Sequence, residues 1–132
     1  MRKRSDRILA VRKAAGRAAS GEFAGAASNV IHHAKLLTRL EEAAATLSPD
    51  TGLVPGAALG AQLELAGRMN GALQLARGRV DRAAIERTDA AVMRKAARRA
   101  LDTAIDMRRD QDRAAQRRIE SQAVPLVTKD RI

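Results

Sequence analysis

Residues 48–56 read SPDTGLVPG, and the fold follows from how this stretch is interpreted. It holds two of the chain's three prolines together with Asp50, Gly52 and Gly56, residue types that end helices and form turns. Pro49 sets its own φ and restricts Ser48, so a helix arriving from the N-terminal side should stop near Leu47. Pro55 and Gly56 then restart the chain before a second helical run. So short a connection between two long helices favours an antiparallel reversal. The predicted fold is all-α: one elongated domain, 1–132, forming an antiparallel two-helix coiled-coil hairpin with unequal arms. Arm one covers 5–47, the turn 48–56, arm two 57–122, and a non-helical tail containing Pro125 covers 123–132.

Composition supports helix and argues against a thick core. Apolar residues make up 45% of the 132, but most are alanine, and the aromatic complement is a single phenylalanine, Phe23. Alanine, with Arg, Leu, Glu and Gln behind it, forms helix readily, while no bulky anchor is present to fill a globular centre. A two-helix seam needs only a narrow apolar stripe. In arm one that stripe reads Phe23, Ala26, Val30, His33, Leu37, Leu40, Ala44 and Leu47, alternating three- and four-residue steps. Upstream the apolar positions Ile8, Val11, Ala15 and Ala19 include an eleven-residue step that relaxes a left-handed supercoil. Ser5 is the predicted N-cap. Gly16, Gly21 and Gly25 weaken this part of the helix by about 1 kcal/mol each, with a break expected near Ser20 and Gly21.

Arm two carries Leu59, Leu63, Ala66, Met69, Leu73, Ala76, Val80, Ala84, Thr88 and Val92, extended by Ala97, Leu101 and Ile105. Arg108 and Asp112 then occupy seam positions. With the turn centred near 51–53, facing residues sum to about 105 in number. That pairs Leu47 with Ala58 or Leu59, Leu40 with Leu65, Leu37 with Met69 and Ile8 with Ala97. Residues 103–122 should then project beyond arm one without a partner.

The formal charge is +10, and residues 1–17 contribute +6 of it, with seven basic side chains against Asp6. Under the same pairing the N-terminal cluster lies beside Arg94, Lys95, Arg98 and Arg99. Such a basic end reads as a solvated face, a protein-docking end or a phosphate grip. Base stacking has no aromatic platform, since Phe23 is assigned to the seam. Beyond residue 105 acids and bases alternate, the pattern of a solvated helix with i, i+4 pairs.

Residues that could carry chemistry are sparse. Cysteine is absent, so thiolate metal sites and disulfides are excluded. His32 and His33 are neighbours pointing about 100° apart and do not form an i, i+4 metal pair. Glu41 and Glu42 diverge in the same way and are unsuited to paired acid–base work. Gly67, Gly71 and Gly78 follow no strand and lack the Gly-Lys-Ser/Thr of a phosphate loop. No Ser, His and Asp spacing suggests a nucleophile. The expectation is a non-enzymatic protein with no catalytic residue, metal or cofactor. No segment approaches the roughly 18–20 apolar residues of a membrane span, and charges interrupt the run after the basic start MRKRSDR, so a cytoplasmic location is expected.

The basic start leading into RILAVRKAA, a helix of some forty residues, a short turn, and a longer helix ending in DMRRDQDRAAQRRIESQ resemble the flagellar export chaperone family typified by FliJ, with its type III secretion stalk relatives. The resemblance covers residues 5–122. It implies an antiparallel coiled coil similar to the central stalk of rotary ATPases. In that family the two chain ends enter the ring of the export ATPase FliI, while side surfaces contact the export-gate protein FlhA and carry export chaperones. Membrane association would come through those partners alone. By this resemblance Arg2, Lys3, Arg4, Arg7, Arg94, Lys95, Arg98 and Arg99 would contact the ATPase, with Arg108 and Arg109 next. Two other readings stand beside it: a small basic DNA-associated protein, and a self-associating helical scaffold.

Overall fold

The computed structural model describes residues 2–47 and 56–130, with Arg2, Ala57 and 124–130 described by backbone alone. The predicted turn lies outside the described residues except for Gly56. Two helices account for the fold, α1 over Arg2–Thr46 and α2 over Gly56–Asp130. No strand occurs among the described residues. α1 ends where Pro49 requires, with the Leu47 amide donating to the Ala43 carbonyl at 3.2 Å and the Thr46 hydroxyl to the same oxygen at 2.7 Å. Gly16, Gly21 and Gly25 leave α1 unbroken, and α2 runs through Gly67, Gly71 and Gly78. The summed propensity of the surrounding Ala, Leu, Arg and Gln outweighs single glycines.

α2 also passes through Pro125 to Asp130, so the predicted non-helical tail is helical over 123–130. Proline removes one i to i−4 bond, from the carbonyl of Ser121, and Ser121 is exposed, so water can take its place. Ser5 is a second correction. It lies inside α1, which begins at Arg2, and its hydroxyl donates to the Gln111 side-chain oxygen instead of capping the helix.

The chain divides into two units, Met1–Ser20 with Met93–Ile132, and Gly21–Val92. Within the second, Phe23, Ala26, Val30, His33, Leu37, Leu40 and Ala44 of the predicted stripe are withdrawn from solvent, with Ala27 and Ala43 beside them, whereas Leu47 is 47% exposed. On α2 they are Met69, Leu73, Ala76, Val80 and Ala83, and Ala83 is only 4% exposed. His33, Leu36 and Leu40 share a 290 Å³ cavity with Ala76 and Arg79. Large side chains thus stand against a small one, which lets the helices approach closely. The sums here run from 109 to 119, above 105. Residues 58–68 are all exposed, with Leu63 at 66%, so Leu47–Leu59 and Leu40–Leu65 do not pair. These first turns of α2 stand on local helix propensity, helped by the i, i+4 bridge from Glu64 to Arg68 at 2.9 Å.

Within the first unit the withdrawn residues of α1 are Ser5, Leu9, Gly16 and Ala19. These keep the strict heptad count back from Phe23, so no eleven-residue step occurs. Ile8 and Val11 fall outside the seam, Val11 at 66% exposure. A continuous seam follows position, and here the positions go to a serine, a glycine and an alanine. On α2 the first unit covers Ala97, Ala100, Leu101, Ala104, Ile105 and Arg108, while in the second unit Thr88 and Val92 of the predicted stripe are exposed.

This register makes a direct comparison available. Ala83→Leu should destabilise by about 1–3 kcal/mol through overpacking, whereas Leu63→Ala should change stability by less than about 0.5 kcal/mol. Urea denaturation followed by far-UV circular dichroism checks both, and a large loss from Leu63→Ala would restore the sum-of-105 pairing.

Candidate docking surface

The first unit contains 18 basic and 7 acidic residues, a net +11, and the second 7 basic and 8 acidic, a net −1. All the basic residues singled out by sequence belong to the first unit, but the structure distributes them differently. The first turns of α1 meet α2 near 108–111. Arg108 and Asp6 form an ion pair, and Ser5 bonds to Gln111, giving sums of 114 and 116. The expected overhang from residue 103 is therefore paired as far as Gln111. From Arg109 to Ala123 every residue is exposed.

Arg108 is consequently a seam residue, its side chain 30% exposed and its charge matched by Asp6 at 49%. The seam position expected for Arg108 is thus the one it takes. Lys3, Arg4, Arg7, Arg99 and Arg109 are exposed, and the Arg2 side chain lies outside the described residues. Ile8 shares a small cavity with Ala104 and Met107, not Ala97. The first turn of the N-terminal cluster therefore lies beside residues 104–111, and only its later members come near Arg94–Arg98.

Those members are Lys13 and Arg17, which belong to the basic run of residues 1–17 but were not among the residues singled out for contact. Lys13 and Arg17 on α1 and Arg94, Lys95 and Arg98 on α2 line one open groove of 740 Å³, with Gly16, Ser20 and Leu101 completing it. Lys13 with Arg17 and Arg94 with Arg98 are i, i+4 pairs, the spacing that puts two side chains on one face, and Lys95 stands at i, i+3 from Arg98. A strict heptad count from Phe23 would have placed Lys13 and Arg17 together on one flank of the seam. The groove exists because the seam is thin here. A Cβ built on Gly16 meets nothing within 4 Å. No acidic residue lines the groove.

Other chemistry is not assembled. His33 is half-buried on the seam and meets His32 edge to face, with ring centroids 5.6 Å apart. Among the described residues no three or more His, Cys, Asp or Glu converge to hold a metal. Among them, too, no helix is long and apolar enough to cross a membrane. The chain matches no family model, no curated protein and no solved structure.

A double-mutant cycle on Asp6→Ala and Arg108→Ala should give a coupling of about 0.2–1 kcal/mol at low salt, because both groups are partly solvated. The coupling should fade near 1 M salt, where screening acts over roughly 3 Å. Thermal melts of the four proteins measure it, and zero coupling at low salt would remove this pair as a determinant of register.

Proposed function

We propose that this chain is a non-enzymatic stalk and chaperone protein of the flagellar, type III, protein export apparatus, coupling the export ATPase to the export gate. In this reading the two helices form an antiparallel coiled-coil hairpin. Its basic unit docks into the ATPase ring, and its exposed helix faces meet the FlhA-like gate at the cytoplasmic side of the membrane. The observation that carries the proposal is the partition of charge: the unit that holds both ends of the chain has +11 while the other is nearly neutral. Exposed arginines and lysines at Lys3, Arg4, Arg7, Arg94, Lys95, Arg98, Arg99 and Arg109 suit an acidic protein surface, which they would engage by steering and by forked Arg–carboxylate bonds. The fully exposed stretch of α2 after Gln111 adds reach without a core of its own. Energy would come from the partner's ATP hydrolysis, with this chain transmitting a conformational bias.

Pull-down of the export ATPase with the full chain, followed by ATP turnover, tests this. The chain should bind and change turnover, and Arg4→Glu with Arg99→Glu should weaken binding roughly tenfold or more at about 0.15 M salt. No binding and unchanged turnover would overturn the proposal. The uncovered Leu59, Leu63 and Leu65 favour a second reading, a self-associating scaffold joined through the first turns of α2. Sedimentation equilibrium decides it: a dimer dispersed by Leu63→Glu supports this reading, and a monomer across the micromolar range removes it.

A further inference from the structure

We infer that the groove between Lys13, Arg17, Arg94, Lys95 and Arg98 is a binding site for a compact oligophosphate, the triphosphate group of a nucleotide or a short inorganic polyphosphate. Five cations share a space of 740 Å³ with no acid in its lining. Three of them are arginines, whose planar forks match phosphate oxygens in pairs, and two are lysines that act as mobile point charges. Lys13 and Arg17 on one helix and Lys95 and Arg98 on the other are like charges that repel across the groove, and an anion between them offsets that cost. A single carboxylate or orthophosphate neutralises too little of the set. Several phosphates in a row neutralise most of it.

The charge pattern along each helix limits the length of the ligand. Next to Lys13 and Arg17 the nearest acids on α1 are Asp6 and Glu22, and the α2 cations are flanked by Asp89 and Asp102. The lining residues span 13–20 on one helix and 94–101 on the other, roughly 10 Å at the helical rise. That is far short of the roughly 34 Å of one duplex turn, and a polymer continuing along the helices would meet carboxylates. No aromatic residue lines the groove, so a base or nucleoside would add little, and recognition is of phosphate alone. Ser20 supplies a hydroxyl donor at one end, and the bare backbone of Gly16 leaves the floor open to a phosphate oxygen. This inference is independent of the partner proposed above.

Isothermal titration calorimetry on the full chain, with no ATPase present, is the test. Inorganic tripolyphosphate should bind saturably with one site per chain, ATP comparably, and orthophosphate roughly tenfold or more weakly. Arg17→Glu with Arg98→Glu should weaken tripolyphosphate binding by about tenfold or more. Lys35→Glu with Arg77→Glu makes the same change in net charge outside the groove and should alter binding by no more than about twofold. Gly16→Met, which narrows the groove at constant charge, should also weaken it, and it decides the matter if circular dichroism shows the charge-reversed pair unfolded. Equal weakening by both charge-reversed pairs, unaltered binding in Gly16→Met, or no saturable binding would overturn the site. So would tight binding of a 20-base-pair duplex with none of tripolyphosphate. Failure here leaves docking to the export ATPase untouched, because that assay reads a different ligand.

Discussion

Three alanines, Ala19, Ala76 and Ala83, are the hydrophobic residues most withdrawn from solvent, and no described side chain is fully buried. Their methyl groups allow α1 and α2 to approach within each unit, and close approach is what places every other side chain. Where larger residues take part, as with His33, Leu36 and Leu40, they stand against Ala76 and leave a cavity beside it. Dispersion contacts are numerous only where two backbones come near each other. A seam of this kind is narrow and adaptable in composition. Gly16 and Ser5 can occupy it because position, not bulk, is what the heptad demands.

Polar side chains then fix which residues face each other. Ser5 with Gln111 and Asp6 with Arg108 join helix segments more than a hundred residues apart in sequence. Surface-level pairs of this sort add little free energy, but they discriminate between registers that an alanine stripe tolerates about equally. Covering Arg108 with Asp6 leaves Arg94, Lys95 and Arg98 to meet Lys13 and Arg17. Register and charge clustering are therefore one fact. The acid-free lining of that groove works against the pairing of its two walls, so an anion bound there would stabilise this unit.

The same register leaves residues 58–68 of α2 without cover. Leu59, Leu63 and Leu65 sit in a stretch whose two charged residues, Glu64 and Arg68, pair with each other, so it carries no net charge. The chain thus presents two chemically different surfaces, a basic groove in one unit and a neutral leucine face in the other. One suits anions and acidic surfaces, the other apolar helices.

Much of this was legible in the linear chain. Two helices separated near residues 48–56, the end of α1 ahead of Pro49, and the stripe from Phe23 to Ala44 follow from propensity, proline geometry and period, which act over a few residues. The gathering of positive charge with the two chain ends also follows once a single reversal is assumed. The pairing of individual residues was not legible. An apolar stripe repeats every seven residues, so sliding one helix by a heptad preserves its pattern, and equal distance from the turn was a poor guide to register. Nor could apolar identity locate the seam at 5–19, where Ile8 and Val11 look suitable yet lie outside it. Helix formation is a local free-energy balance and is written residue by residue. The choice of Lys13 and Arg17 as the neighbours of Arg94 and Arg98 depends on alanine contacts and two polar pairs distant in sequence, and only the packed helices settle it.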